Sequence, residues 1–128
     1  MTCPWTPGEP VPLAPGLSLV LAPNPSPMTY WGTNSYLLGE DRLTLIDPGP
    51  ALPAHRAALL AAIAGRPVEA ILVTHAHLDH SPLATPLARE LGAPVMAFGN
   101  AVAGRSAVMS DLGARGLTGG GEGVDADF

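Results

Sequence analysis

The chain has 128 residues, which suits one domain with a single hydrophobic core. Apolar residues make up 47% of it, so its composition excludes wholesale disorder. The net charge is −5, and the six cations are scattered arginines that form no basic stripe, which argues against nucleic acid as a partner.

The N-terminus lacks the charged and apolar regions of a secretory leader. The longest apolar stretch, 51–64, is too short to cross a bilayer. Cys3 is the single cysteine and cannot form an internal disulfide. We therefore expect a cytoplasmic protein with no membrane partner.

The first elements are short and separated by turn residues. Residues 1–16 are rich in proline and predict an extended lead-in, and 17–22 predict a strand. The following loop, 23–34, contains three large side chains that either line a substrate cleft or cover the edge of the core: Met28, Tyr30 and Trp31.

A hairpin and a helix come next. The apolar runs 35–39 and 43–47 flank a polar turn and predict a β-hairpin. An alanine-rich helix is predicted over 53–64, with proline in its first turn and Gly65 at its end. We expect His55 to be solvated, and the buried stripe of this helix to consist of Leu59, Leu60 and Ile63.

The remaining ordered part has a strand–helix–strand pattern. Residues 68–74 do not alternate and predict a strand buried on both faces, as 94–98 also do. Between them a helix is predicted within 82–91, with Ser81 as its cap; Pro86 requires either a kink or a late start. The pattern predicts an α/β fold with a mixed sheet, an opening hairpin and βαβ units.

After Phe98 the pattern weakens. Glycines interrupt a frayed helix over 102–117, and the glycines of 118–128 precede no lysine, so they form no phosphate-binding loop. We therefore predict a partial domain over 17–117 and a flexible glycine-rich tail over 118–128.

Three of the four histidines lie in the segment "THAHLDH", residues 74–80. In an extended segment His75 and His77 point the same way and can bind one cation, and Asp79 and His80 in the following turn can reach a second. Imidazole and carboxylate suit zinc, iron or manganese. Ligand sites of α/β sheets lie at the carboxyl ends of strands, and this segment follows one directly.

"THAHLDH" resembles the H-x-H-x-D-H signature of the metallo-β-lactamase superfamily. "TNSYLLG" (33–39) and "LTLIDPG" (43–49) resemble the opening hairpin of that superfamily, and the similarity extends from about residue 17 to residue 98. The resemblance implies the amino-terminal half of an αββα sandwich with a two-metal site.

The resemblance also implies roles for individual residues. His75 and His77 would bind the first metal, Asp79 and His80 the second, and Asp47 would orient a ligand histidine through a hydrogen bond. Two zinc ions, with iron or manganese as alternatives, would generate hydroxide at neutral pH, and Asp79 would orient it catalytically. The small-molecule substrate would be an ester, thioester, lactone, lactam or phosphodiester.

The sequence departs from the family pattern after His80. The family completes its site with further histidines and a bridging aspartate, whereas no histidine follows here, and three later aspartates have no recognisable context: Asp111, Asp125 and Asp127. A catalytic zinc usually has three protein ligands. We therefore expect a fragment that is inactive alone and needs a missing carboxy-terminal half or a homo-oligomer partner.

Two other functions remain open from the residues alone. The chain could be a non-catalytic metal-binding module completed by a partner chain, or a di-iron oxidoreductase module with visible absorbance and a flavin partner. An amidohydrolase-type barrel using "HAH" is disfavoured by the Asp79-His80 pair and by the chain length.

Overall fold

The computed structural model of the chain describes residues 2–98. Within that range there are six strands and two helices: β1 (Val11–Ala14), β2 (Leu17–Leu21), β3 (Asn34–Leu38), β4 (Leu43–Ile46), α1 (Pro53–Ile63), β5 (Val68–Val73), α2 (Ala84–Leu91) and β6 (Val95–Ala97). The frayed helix and the tail predicted over 102–117 and 118–128 lie outside the described residues. Neither described helix is long and apolar enough to cross a membrane.

The six strands form one mixed sheet in the order β1-β2-β3-β4-β5-β6. The first four strands pair antiparallel, and β4, β5 and β6 pair parallel, joined through α1 and α2. This confirms the predicted α/β class with an opening hairpin followed by βαβ units. β1 lies within the segment predicted as a lead-in and adds an edge strand.

One face of the sheet packs against both helices. Inward-facing residues alternate along the strands, as Leu43 and Leu45 of β4 show, and they join α1 and α2 in one buried cluster. Leu59 and Ile63 of α1 belong to this cluster, while Leu60 packs at its margin. Burial of these side chains is the main stabilising contribution to the described fold.

The prediction that His55 is solvated is wrong. Its side chain is 0% exposed and lies on the buried stripe of α1 with Leu59 and Ile63, one turn and two turns later. Residues at positions i, i+4 and i+8 share one helix face, so the helical period places His55 in the core.

The prediction that β5 and β6 are buried on both faces is also wrong. Ile71 and Val73 are buried under the helices, whereas Leu72 on the other face is half-buried. Met96 is 55% exposed and Phe98 is 85% exposed. Apolar side chains on this second face of β5 and β6 therefore remain accessible.

The start of α2 resolves the difficulty with Pro86. The helix begins at Ala84, so Pro86 lies in the first turn, where the backbone N–H has no partner within the helix. The predicted cap is wrong, because the Ser81 hydroxyl donates to the carbonyls of Ala76 and His77 instead (3.0 and 3.2 Å). No side chain within residues 2–98 caps α2, and Gly92 ends it in a left-handed conformation.

Candidate metal centre

The histidine cluster lies where two parallel strands end side by side. Ile46 of β4 pairs with Leu72 of β5, so Asp47 and Thr74, which follow these strands, emerge at the same edge. Asp47 N–H donates to the Leu72 carbonyl at 2.8 Å and extends this pairing. The predicted site is therefore at the carboxyl edge of the parallel part of the sheet.

The loop after β5 folds back so that its polar side chains converge. The amides of His80 and Ser81 both donate to the His77 carbonyl, at 2.9 and 3.0 Å. The turn between β4 and α1 ties this loop down, because Gly49 N–H donates to the His80 carbonyl at 2.9 Å and Leu83 N–H donates to the Gly49 carbonyl at 3.3 Å.

The structure brings all four predicted ligands together. The His75 ring lies 4.6 Å from the His77 ring and 4.2 Å from the His80 ring, measured between centroids. Asp79 Oδ2 lies 3.3 Å from His80 Nε2. Potential ligand atoms lie within 4.8 Å of one another in two groups, one of His75, His77 and Asp79 and one of Asp47, His75 and His80. Imidazoles and carboxylates at these separations fit a divalent metal ion.

Asp47 is the centre of a hydrogen-bond network beneath the cluster. Its Oδ1 accepts from Thr74 N at 2.8 Å, and its Oδ2 accepts from Thr74 Oγ1 at 2.6 Å and from His80 Nδ1 at 3.0 Å. Asp47 adopts a left-handed backbone conformation with φ 50°, which costs an L-residue about 1 kcal/mol. The surrounding contacts must therefore hold it in place.

The network also sets which nitrogen of two histidines carries the proton. His80 Nδ1 donates to the Asp47 carboxylate, so Nε2, which lies beside Asp79, is the nitrogen that can bind a cation. Thr74 Oγ1 gives its proton to Asp47, so it accepts from His75 Nδ1 at 2.9 Å, and His75 Nε2 can likewise bind a cation. The sequence analysis missed Thr74, although its position beside the first histidine was visible in "THAHLDH".

The electrostatics of the site follow from these contacts. Burial raises the pKa of Asp47, but hydrogen bonds from His80 and Thr74 and the charge of His80 outweigh it, so the pKa lies below its usual value. The hydrogen bond to Asp47 raises the pKa of His80, with Asp79 adding to the effect. Burial, followed by the charges of His80 and His77, lowers the pKa of His75.

The cluster forms one wall of an open cleft of about 630 Å³. The loop after β2 forms the facing wall, where Met28 is 74% exposed and lines the cleft. Trp31 instead packs against Trp5 with 6.2 Å between ring centroids. Met28 thus lines the cleft, whereas Tyr30 is 64% exposed and, like Trp31, is not among the residues that line it.

Comparisons with known proteins agree with this geometry. The family model of the metallo-beta-lactamase superfamily matches residues 28–103, more than half of the chain. A protein of Dinoroseobacter shibae named a metal-dependent hydrolase is 40% identical over 74 residues, which cover 54% of this chain and 30% of that protein. The beta-lactamase-like protein 2 homolog of Caenorhabditis elegans is 38% identical over 72 residues, covering 53% of this chain and 24% of that protein.

Solved structures show the same fold. A beta-lactamase domain protein from Burkholderia ambifaria matches with TM-score 0.57 and 28% identity, covering 73% of this chain and 31% of that one. A metallo-beta-lactamase motif mutant from Cronobacter sakazakii matches with TM-score 0.56 and 26% identity, covering 91% of this chain and 43% of that one. The chain spans less than a third of the length of the curated relatives described above.

Proposed function

Because the chain belongs to the metallo-beta-lactamase superfamily, we propose that it supplies half of the active site of a metal-dependent hydrolase. The observation that carries this proposal is the orientation of two imidazoles. The His75 and His80 rings lie 4.2 Å apart between centroids, and Nδ1 of each is held by Thr74 or Asp47. Such hydrogen bonds to the second nitrogen are the usual support of metal-binding histidines.

We assign the ligands to two neighbouring positions. His75 and His77 bind one ion, and Asp79 and His80 bind the other, with Asp47 orienting His80 from below. Three hydrogen bonds already occupy the oxygens of Asp47, which favours an orienting role over a ligand role. Zinc suits these nitrogen and oxygen ligands, and iron or manganese would also fit them.

The proposed chemistry is hydrolysis of an ester, thioester, lactone, lactam or phosphodiester. Divalent ions bound there would make a water more acidic and polarise the oxygen of the bond to be cleaved. Asp79 reaches the same space as His80 Nε2, so its carboxylate can accept the proton of an incoming water and orient it. Met28 and Leu78 offer apolar surface for the rest of a small substrate.

The residues that line the cleft also indicate which kind of partner the chain would bind. The described residues lining it include no arginine, and the chain contains no lysine, which favours a small-molecule substrate over nucleic acid. Two protein ligands for each ion are fewer than a catalytic zinc usually has. We propose that a carboxy-terminal half or a second copy supplies the others. A cytoplasmic location remains a prediction from the sequence.

The first experiment measures metal content by elemental analysis after gel filtration in buffer without added metal. We expect His75→Ala and Asp79→Ala each to lower the metal bound per chain. Asp41→Ala is the matched control, because Asp41 is an exposed carboxylate outside the cluster. Full loading of His75→Ala or Asp79→Ala would remove that residue from the ligand set.

The second measurement tests turnover. The chain is assayed with a chromogenic ester, thioester, lactone, β-lactam and phosphodiester, alone and mixed with the carboxy-terminal half of a relative. Metal-dependent cleavage that Asp79→Ala abolishes would support the hydrolase. Tight metal binding with no cleavage in either assay would favour the non-catalytic binding module instead.

A further inference from the structure

A buried histidine outside the ligand cluster makes contacts that the proposed chemistry does not use. His55 is 0% exposed, and its ring lies against Gly49 in the turn after Asp47. A Cβ on Gly49 would approach His55 Nε2 to 2.9 Å, so only glycine leaves room for the imidazole there. Because burying an imidazole costs stability, its hydrogen bonds are informative.

These hydrogen bonds have a definite direction. Ser35 Oγ lies 2.6 Å from the Asp47 backbone carbonyl, which can only accept, so the hydroxyl donates to it. The same hydroxyl lies 2.9 Å from His55 Nε2, which must therefore be the donor. The neutral ring then carries its proton on Nε2, and Nδ1 has no hydrogen-bond partner among the described residues.

The acceptor at the end of this series of hydrogen bonds is Asp47, the residue that orients the ligand loop. Asp47 has a left-handed backbone, and its carbonyl is held by Ser35 while its amide pairs with Leu72. A change in the backbone conformation of Asp47 would move its carboxylate away from Thr74 and His80. The hydrogen bonds from His55 to Ser35 and from Ser35 to the Asp47 carbonyl thus hold the backbone of Asp47, and with it the carboxylate.

We propose that His55 and Ser35 are positioning residues that hold Asp47 in its left-handed conformation and thereby orient the Thr74 and His80 side chains of the metal site. The link to metal binding rests on the function proposed above, whereas the effect on Asp47 does not. Among the described residues His55 neither lines the cleft nor belongs to the ligand groups, and its hydrogen bond reaches Asp47 through Ser35.

The test measures amide hydrogen exchange by NMR in the metal-free full chain. The Thr74 amide reports the conformation of Asp47, because it donates to Oδ1. The Ile71 amide, which donates to the Pro94 carbonyl within the sheet, reports general stability. In Ser35→Ala and His55→Leu we expect Thr74 to exchange roughly fivefold to tenfold faster relative to Ile71, the effect of losing about one net hydrogen bond.

His55→Gln is the conservative variant, since its side-chain amide can still donate to Ser35. We expect it to restore protection of Thr74. Ile63→Val, a mild core change in the same helix, controls for destabilisation and should leave the ratio of the two exchange rates unchanged. An unchanged ratio in Ser35→Ala, or a His55→Gln variant that behaves like His55→Leu, would overturn the proposal.

Zinc titration against a chromophoric chelator separates this proposal from the function. We expect Ser35→Ala and His55→Leu to bind zinc about tenfold more weakly than the wild type, and His55→Gln to bind nearly as well. A wild-type chain that binds neither zinc nor iron nor manganese, alone or mixed with the carboxy-terminal half of a relative, would refute the metal-dependent function, and the exchange ratios would still decide the role of His55. Zinc affinities equal in all four proteins would overturn the link to the metal site.

Discussion

Replacing His55 with glutamine should remove a large part of the acid sensitivity of the fold. Burial lowers the pKa of His55 to about 4, while a backbone interaction with Pro48 acts in the opposite direction. In the unfolded chain the same group titrates near 6.5. As the pH falls from 6.5 to 4, the imidazole of His55 therefore binds a proton in the unfolded state but not in the folded state.

The magnitude follows from the separation of the two pKa values. Each pKa unit between the states is worth about 1.4 kcal/mol, so neutral His55 accounts for about 3 kcal/mol of the free energy of unfolding. This contribution is fully present above pH 6.5 and is lost as the pH falls to about 4. A loss of that size is a substantial fraction of the stability of a small domain.

The assay is urea unfolding followed by tryptophan fluorescence between pH 7 and pH 4. The wild type should lose about 3 kcal/mol more than His55→Gln over this range. The shifted pKa values of His75 and His80 also change stability with pH, but both groups remain in the variant and cancel in the difference. Ile63→Val should lose about 1 kcal/mol at every pH. Equal pH dependence in wild type and His55→Gln would refute the reasoning.

Three further outcomes are expected. Gly49→Ala should destabilise the fold by about 3 kcal/mol in urea unfolding, because the added Cβ meets the buried imidazole of α1 at a positive φ. Gly92→Ala, where no atom of the described residues would lie within 4 Å of the added Cβ, should cost only about 1 kcal/mol. Leu87→Ala should lower the free energy of unfolding by about 3 kcal/mol, since this fully buried side chain of α2 would leave a cavity; a thermal melt that matches the wild type would contradict this. Asp47→Asn should lower the pKa of His80 in an NMR titration, because the carboxylate hydrogen bond that raises it is lost; an unchanged titration would show that another group raises it.

Much of the site was predictable because its candidate ligands lie in one short segment. The strand before "THAHLDH" and the turn within it are local features, so their spacing alone placed His75, His77, Asp79 and His80 near one another. The parallel strands and the opening hairpin were predictable from the short apolar runs that turn residues separate.

The supporting network was less accessible because it depends on contacts between distant segments. The hydrogen bonds between Asp47 and Thr74 depend on the register in which β4 pairs with β5, and no local sequence pattern predicts that register. His55 is different, since its spacing from Leu59 and Ile63 already placed it on the buried stripe. We expected a solvated side chain because histidine is polar, whereas the helical period correctly predicts that His55 is buried.

The tie between the β4–α1 turn and the histidine loop has a consequence for the thermodynamics of metal uptake. The backbone bonds of Gly49 to His80 and Leu83 join main-chain atoms of the turn and the loop, so they form as part of folding and order the loop at that stage. In small zinc domains that are unfolded without metal, much of the binding free energy is consumed in ordering the chain. In this chain the main-chain bonds would order the loop instead, so a larger share of an ion's binding free energy would appear as affinity.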